Sequence, residues 1–263
     1  MKKIELYSKG KPELTVALPM YNSKQISMLA FESLLNQNYI GFDWELIIYE
    51  EQHDNMTDWQ IIEQYANKLK ENRCTRFVYI TQNDKAKLID KWIYIANKAS
   101  YLSKVYLLQA ADCYSYQTRL HNSYTTITKG YHWYDNTKGL FYSFNSAKLI
   151  EYNANMRTNL SMALPTKLMQ DIPTKDINKG IDGYIFSQAQ RLSEPFYVFN
   201  DENMYLSGLD THGLNNISIK RESYFDKPRL PFKETNTTLE QTYLPTNIKD
   251  EISRIEKRLR NSV

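Results

Sequence analysis

Five carboxylates stand at the ends of short apolar runs in the first half of the chain: Glu50, Glu51, Asp54, Asp84 and Asp112. Singly, such acids serve as turn and helix-cap residues. Their recurrence at successive run ends points to one shared crevice. Grouped oxygen ligands suit a divalent cation, and a cation can in turn hold a phosphorylated ligand. Other chemistries lack their residues. The eight glycines form neither GxGxxG nor GxxxxGK, and there is no GxSxG, HExxH or CxxC. His53, His121, His132 and His212 are scattered and make no dense zinc site. Dinucleotide-dependent hydride transfer, P-loop phosphoryl transfer and zincin proteolysis are therefore disfavoured.

The elements that must position those acids alternate. Leu14–Leu18 is a short apolar run stopped by Pro19, as expected of a buried strand and turn. Ser23 is placed to cap a helix whose stripe is Ile26, Leu29, Ala30, Ser33 and Leu34. Trp44–Tyr49, Arg76–Thr81 and Lys104–Leu108 read as further strands. Between them, one helix opens at Thr57 and another runs from Lys85 to Ser100. Four β-α repeats imply a largely parallel sheet covered on both faces, with ligands at the carboxyl ends of its strands. The second half is less regular. It offers a strand over Leu140–Phe144, a mixed segment over Leu149–Leu168, a helix over Asp182–Leu192, and a strand pair at Phe196–Phe199 and Met204–Leu209. Lys227–Thr246 reads as an extended wrap. The last helix, Asn247–Arg260, carries Ile248, Ile252, Ile255 and Leu259 at 4-3-4 spacing among basic residues. Such a stripe docks on the parent domain; self-association or a peripheral membrane contact is the less common use.

A chain of 263 residues with 33 basic and 30 acidic side chains suits one large α/β domain or two small ones. A net charge of +3 is too small to argue for nucleic acid. No apolar run reaches the ~20 residues of a transmembrane segment, and Met1–Glu5 leads into polar sequence rather than a signal peptide. Cys74 and Cys113 make no disulfide framework, so a reducing cytoplasm is the expected location.

The order of these segments resembles family 2 glycosyltransferases of the inverting GT-A type. Leu14-Thr-Val-Ala-Leu-Pro-Met-Tyr-Asn22 is similar to the family's opening strand, which ends in Pro-x-Tyr-Asn. Ala30-Phe-Glu-Ser-Leu-Leu-Asn-Gln-Asn-Tyr39 resembles its first helix, and Trp44–Glu51 its second strand with the acidic pair. Lys104–Asp112 sits where the family carries Asp-x-Asp, and Tyr114–Leu120 resembles the Y-x-P-x-R-L that follows. The likeness covers about residues 12–120. It departs at the metal motif, which reads Leu108-Gln109-Ala110-Ala111-Asp112, and at the acidic pair, where Glu50-Glu51 replaces Asp-Asp.

The resemblance implies an α/β fold with a GT-A (Rossmann-like), mostly parallel central sheet flanked by helices, and a less regular acceptor-side C-terminal half. On this reading residues 1–226 form the transferase domain, with the nucleotide-sugar half at about 12–120 and the acceptor half at 121–226; residues 227–263 form the wrap and final helix. It implies nucleotide-sugar contacts from Pro19, Tyr21, Asn22, Glu50, Glu51, Asp84, Ala111, Asp112 and Arg119. It further implies Mn2+ or Mg2+ on Asp112 with His212 as a second ligand, and Asp182 as catalytic base. The donor expected is a UDP-sugar, and the acceptor a hydroxyl on a glycan, lipid-linked sugar, protein or modified nucleobase. An inactive GT-A nucleotide-sugar-binding module or partner subunit is the alternative. A sugar-nucleotide-forming nucleotidyltransferase shares the sheet, but Pro19-Met20-Tyr21-Asn22 does not resemble its Gly-rich opening loop.

Overall fold

The computed structural model describes residues 2–22, 24, 27–54, 56–83, 85–136, 138–143, 148–153, 162–177, 180–201, 206–209, 232–234, 238–241 and 246–260. Ser23, Asp84 and His212 lie outside them.

The first half alternates as its periodicity requires. β1 (Lys2–Ser8) and β2 (Leu14–Met20) lead to α1 (Ser27–Leu35). Then follow β3 (Trp44–Glu51), α2 (Trp59–Glu71), β4 (Cys74–Gln82), α3 (Leu88–Ala96) and β5 (Val105–Leu108). β4, β3, β2 and β5 lie side by side and parallel. β2 and β3 are buried along their whole length, as strands covered on both faces must be. Leu14, Val16, Leu18, Leu46 and Ile48 face one layer with α1 and α2. Ala17, Ile47 and Tyr49 face the other with α3.

Pro19 sits in the central strand without disturbing it. The Ala17 carbonyl accepts from the Gln109 N–H on the β5 side, 2.9 Å away. Backbone groups alternate sides along a strand, so Pro19 faces the same side, beyond the last β5 pairing at Ala17–Leu108. A missing N–H costs nothing there.

The chain continues through β6 (Cys113–Tyr114), α4 (Arg119–Thr128) and β7 (Trp133–Asn136), and β6 leaves the first sheet. After β8 (Lys138–Ser143) and β9 (Lys148–Asn153), the chain returns as β10 (Ala163–Pro165), antiparallel to both β5 and β7. Next come α5 (Thr166–Asp171), α6 (Ile181–Leu192) and β11 (Val198–Asp201), the last parallel to β7. The first sheet therefore runs β1-β4-β3-β2-β5-β10-β7-β11. A second sheet of β6, β8, β9, β12 (Leu206–Leu209) and β13 (Phe232–Glu234) stands beside it in the order β13-β9-β8-β12-β6.

Two expectations are corrected here, and one strand is added to them. The strands near 196–199 and 204–209 do not pair with each other: β11 joins β7 in the first sheet, and β12 joins β8 and β6 in the second. The polar N-terminal residues form β1, an antiparallel edge strand on β4. The helix expected at Thr57 begins at Trp59, because Thr57 is held by the Glu50 carboxylate.

Among the described residues after 226, a strand and a helix join the rest of the molecule. β13 pairs with β9, and α7 (Thr246–Arg260) packs on α1. Ile248 and Ile252 are fully buried, as the apolar stripe predicts for a docked helix. Tyr142 of β8 donates to the Glu256 carboxylate at 2.7 Å, which ties this helix to the second sheet.

Candidate active site

The carboxyl ends of β2, β3, β4 and β5 lie at one edge of the sheet, and of the expected site residues Pro19, Tyr21, Asn22, Glu50, Glu51 and Asp112 lie in or just after those strand ends. After β2 the chain turns through Tyr21 and the buried Asn22, whose φ of 51° is a left-handed conformation that Asn tolerates better than most residues. The Tyr21 ring meets His53 edge-on at 5.3 Å between centroids. Alternation along β3 sends its two terminal glutamates to opposite faces of the sheet.

Glu50 points into the α1–α2 layer and is 0% exposed. One carboxylate oxygen accepts from the Thr57 N–H (2.9 Å) and hydroxyl (3.2 Å), the other from the Tyr79 hydroxyl (2.6 Å). Burial raises its pKa above the usual carboxylate range despite those bonds and the nearby Lys91 charge. Glu51 points to the α3 layer and is 4% exposed. Its Oε1 accepts from the Ala86 N–H at 3.0 Å and pairs with Lys91 Nζ at 2.7 Å. Lys91 is equally buried, also donates to the Met20 carbonyl at 3.4 Å, and lies over the rings of Tyr21 and Tyr49. Burial lowers the lysine's pKa, and Glu51 opposes that shift.

The Asp112 loop is short and built from beneath. Gln109 to Asp112 carry the chain from β5 in the first sheet to β6 in the second. Gln109 is buried, and its amide donates to the carbonyls of Ala110 (3.0 Å) and Cys113 (2.8 Å). Arg119, only 2% exposed, donates to the Gln109 side chain at 2.8 Å, to Ser115 and to the Leu108 carbonyl. Arg119 is thus a strut under this loop, where a helix arginine on the solvent side or a direct phosphate contact would otherwise be expected. Ala111 and Asp112 are both buried, and the Cys113 thiol approaches Asp112 Oδ1 at 3.3 Å.

Asp182 lies in the first turn of α6, after Gly180 whose φ of 64° gives the turn its left-handed entry. The Lys87–Asp176 ion pair ties the segment before α6 to the start of α3, at the carboxyl ends of the strands. Trp133 of β7 meets Phe186 of α6 edge-on at 5.0 Å. β7 rises toward that same end while α6 descends from it, so Asp135, two residues on from Trp133, and Asp182, one helical turn before Phe186, share that end of the layer. Asp201, at the end of β11, accepts from Tyr134 at 2.5 Å and from Asn122 at 2.9 Å. Periodicity did not single out Lys91, Gln109, Asp135 or Asp201. Lys91 interrupts the apolar face of its helix, between Leu88 and Trp92, and that was the available signal.

A metal ion fits this loop only in part. Among the described residues no three His, Cys, Asp or Glu side chains group to hold an ion. Asp112 supplies one carboxylate, which suffices for Mg2+ or Mn2+ when substrate phosphates supply further oxygens. His212, the expected second ligand, lies outside the described residues, as does Asp84. No described helix is long and apolar enough to cross a membrane.

No protein-family model matches the chain. Over 67 residues it is 33% identical to WcaA of Escherichia coli strain K12, which carries the name of a colanic acid biosynthesis glycosyl transferase. That match spans 26% of this chain and 22% of WcaA. Among solved structures, S. aureus TarS superposes with a TM-score of 0.58 at 15% identity, over 81% of this chain and 38% of TarS. A 1-349 fragment of TarS in complex with UDP-GlcNAc gives 0.57 at 15% identity, over 94% of this chain and 66% of the fragment. The mannosyltransferase PcManGT of Pyrobaculum calidifontis, in complex with GDP-Man and Mn2+, gives 0.56 at 9% identity, covering 78% and 59% of the two chains. At these identities the structural likeness is one of fold.

Proposed function

We propose that this chain, which has the fold of the GT-A glycosyltransferases, moves a sugar from a nucleotide-sugar donor to an acceptor hydroxyl with inversion, in a divalent-metal-dependent reaction. The observation that carries the reading is the placement of Asp112. It sits at the crossing from the parallel sheet to the second sheet, beside the strand ends that bear Tyr21, Asn22 and Glu51. The solved neighbours of this fold that hold UDP-GlcNAc, or GDP-Man with Mn2+, support the donor class and the cation.

Each residue then has a role. Tyr21 offers a ring face to the nucleobase, and Glu51 an acceptor to a base N–H. Of the two glutamates Glu51 is favoured, because both oxygens of Glu50 are already engaged in bonds to Thr57 and Tyr79. Asp112 would hold Mg2+ or Mn2+, which supplies Lewis-acid stabilisation of the leaving diphosphate. Arg119 and Gln109 keep the Asp112 loop in place from below. Asp182 would take the proton of the acceptor hydroxyl; inversion requires that base on the face opposite the diphosphate.

A second reading, a nucleotide-sugar-binding module without turnover, is favoured by one observation. Gln109 stands where the resemblance places the first metal-motif acid, and its side chain is committed inward. One assay separates the two. A panel of nucleotide sugars with Mn2+ should release nucleoside diphosphate with wild type, and at least 100-fold more slowly with Asp112→Asn. Thermal stabilisation by donor without release under any acceptor tried would favour the binding module. No stabilisation by any donor would end both readings.

A further inference from the structure

We propose that the outer edge of β11 is a self-association surface, on which a second copy of this chain adds its own β11 antiparallel across a two-fold axis. The first sheet ends in two edge strands, β1 and β11, and they are finished differently. β1 exposes Lys2, Lys3 and Glu5 and bulges between Glu5 and Tyr7, devices that keep another strand from adding. The stretch Tyr197–Asn200 carries no charge, and among the described residues no strand pairs with the outer side of β11. Two aromatic side chains stay in the open there: Tyr197, just before the strand, is 55% exposed and Phe199 38%.

The backbone fixes the register. The Tyr197 carbonyl accepts from the N–H groups of His132 (2.9 Å) and Trp133 (3.2 Å), so that residue faces β7. Alternation turns Phe199 the same way and leaves the N–H and C=O of Val198 and Asn200 pointing outward. A two-fold axis at Phe199 sets Val198 against Asn200 of the second copy, and Asn200 against its Val198. Each pair exchanges two hydrogen bonds, four in all. Between them Phe199 meets Phe199 of the second copy in the non-hydrogen-bonded position, about 4.5 Å apart at Cα. Its ring is already braced for that contact, stacked on Tyr134 at 6.1 Å with Tyr131 edge-on at 5.5 Å.

The same register decides the occupant. Asp201, the one acid of the strand, falls opposite Tyr197 of the second copy, so no like charges meet. A patch that complements itself, with no charge for an unlike partner to match, favours a second copy. Antiparallel pairing points the carboxyl ends of the two sheets in opposite directions. Each crevice therefore stays open, and the association is independent of what the crevice binds.

Sedimentation velocity of the whole chain, from about 1 to 100 μM, tests this. Wild type should pass from monomer to dimer over that range, since so small an interface associates weakly. Asn200→Pro removes one outward N–H from each copy, at a place where an edge strand tolerates proline. Phe199→Lys sets two charges face to face. Each should weaken the dimer at least tenfold while circular dichroism is unchanged. Hydrogen exchange needs no variant: the Val198 and Asn200 amides of wild type should exchange at least threefold more slowly at the highest concentration than at the lowest. A wild type that stays monomeric at about 100 μM overturns the inference. A dimer that a folded Asn200→Pro leaves intact overturns it equally. A dimer whose Val198 and Asn200 amides exchange at one rate throughout overturns it whether or not the variants fold.

Discussion

The two sides of the Asp112 loop are built by different rules. On the parallel side, β2, β3, β4 and β5 are joined through helices close in sequence, and the polar groups at their ends are locked by buried partners. Glu50 is held by Thr57 and Tyr79, Glu51 by Lys91 and Ala86, and the loop by Arg119. On the other side, two-residue β6 and four-residue β12 are held together across long stretches of chain, with Leu206 opposite Tyr114. The difference separates rigidity from variability. The parallel side is fixed by local units, whereas the other side is assembled from remote pieces that can be exchanged without touching the first.

The largest effect expected from breaking this contrast is at Lys91. Replacing it with Met leaves the Glu51 charge buried without its cation, which costs about 3–5 kcal/mol when one partner of a buried pair is removed. Urea unfolding should show that loss. A double change, Glu51→Gln with Lys91→Met, should recover most of it, because the uncompensated charge is gone. A single variant that loses less than about 1 kcal/mol would mean the pair is wet, and the parallel side is then no more fixed than the other.

How much of this was legible in the sequence follows the same division. The parallel strands and their helices were readable because each buries a local stripe: Leu14–Leu18 and Trp44–Tyr49 are continuous apolar runs, and α3 repeats Leu88, Trp92 and Ile95. The second sheet was not readable. A pair of residues such as Cys113–Tyr114 carries no period, and its partner β12 is known only by register. The same limit produced the false pairing of the segments around 198 and 206, which neighbour in sequence but belong to different sheets. At the site, chemical type was legible and commitment was not. Glu50 and Glu51 read alike, yet one is closed on both oxygens and the other on one.

An intermediate effect is expected at the seam that α7 makes between the two sides. Ile252 is fully buried in a helix that rests on α1 and receives Tyr142 from the second sheet. Ile252→Ala should cost about 2–5 kcal/mol, the usual range for emptying such a site. A loss under about 0.5 kcal/mol would show that the helix does not dock in solution, which would return its apolar stripe to the self-association or membrane uses.

The smallest effect is a slope in pH, and it has opposite signs on the two kinds of acid. Glu13 lies near the surface; bonds from Tyr124 and Lys104 hold its pKa below the ordinary 4.5. Its contribution is present above that value and lost as pH falls through the lowered pKa. Glu50 is the reverse. Burial raises its pKa above 4.5, so the folded state holds its proton more tightly than the unfolded chain does. Its contribution is full below 4.5 and is lost as pH rises through the raised pKa. Glu45, raised by burial at the other end of the same strand, adds to the same decline. Unfolding midpoints between pH 4 and 7 should therefore decline less steeply in Glu50→Gln than in wild type. An amide can accept from Thr57 and donate to Tyr79, so the variant keeps its bonds and loses only the titration. An identical slope in the two proteins would mean that Glu50 is not the group whose charge the fold resists, and that Glu45 alone carries the decline.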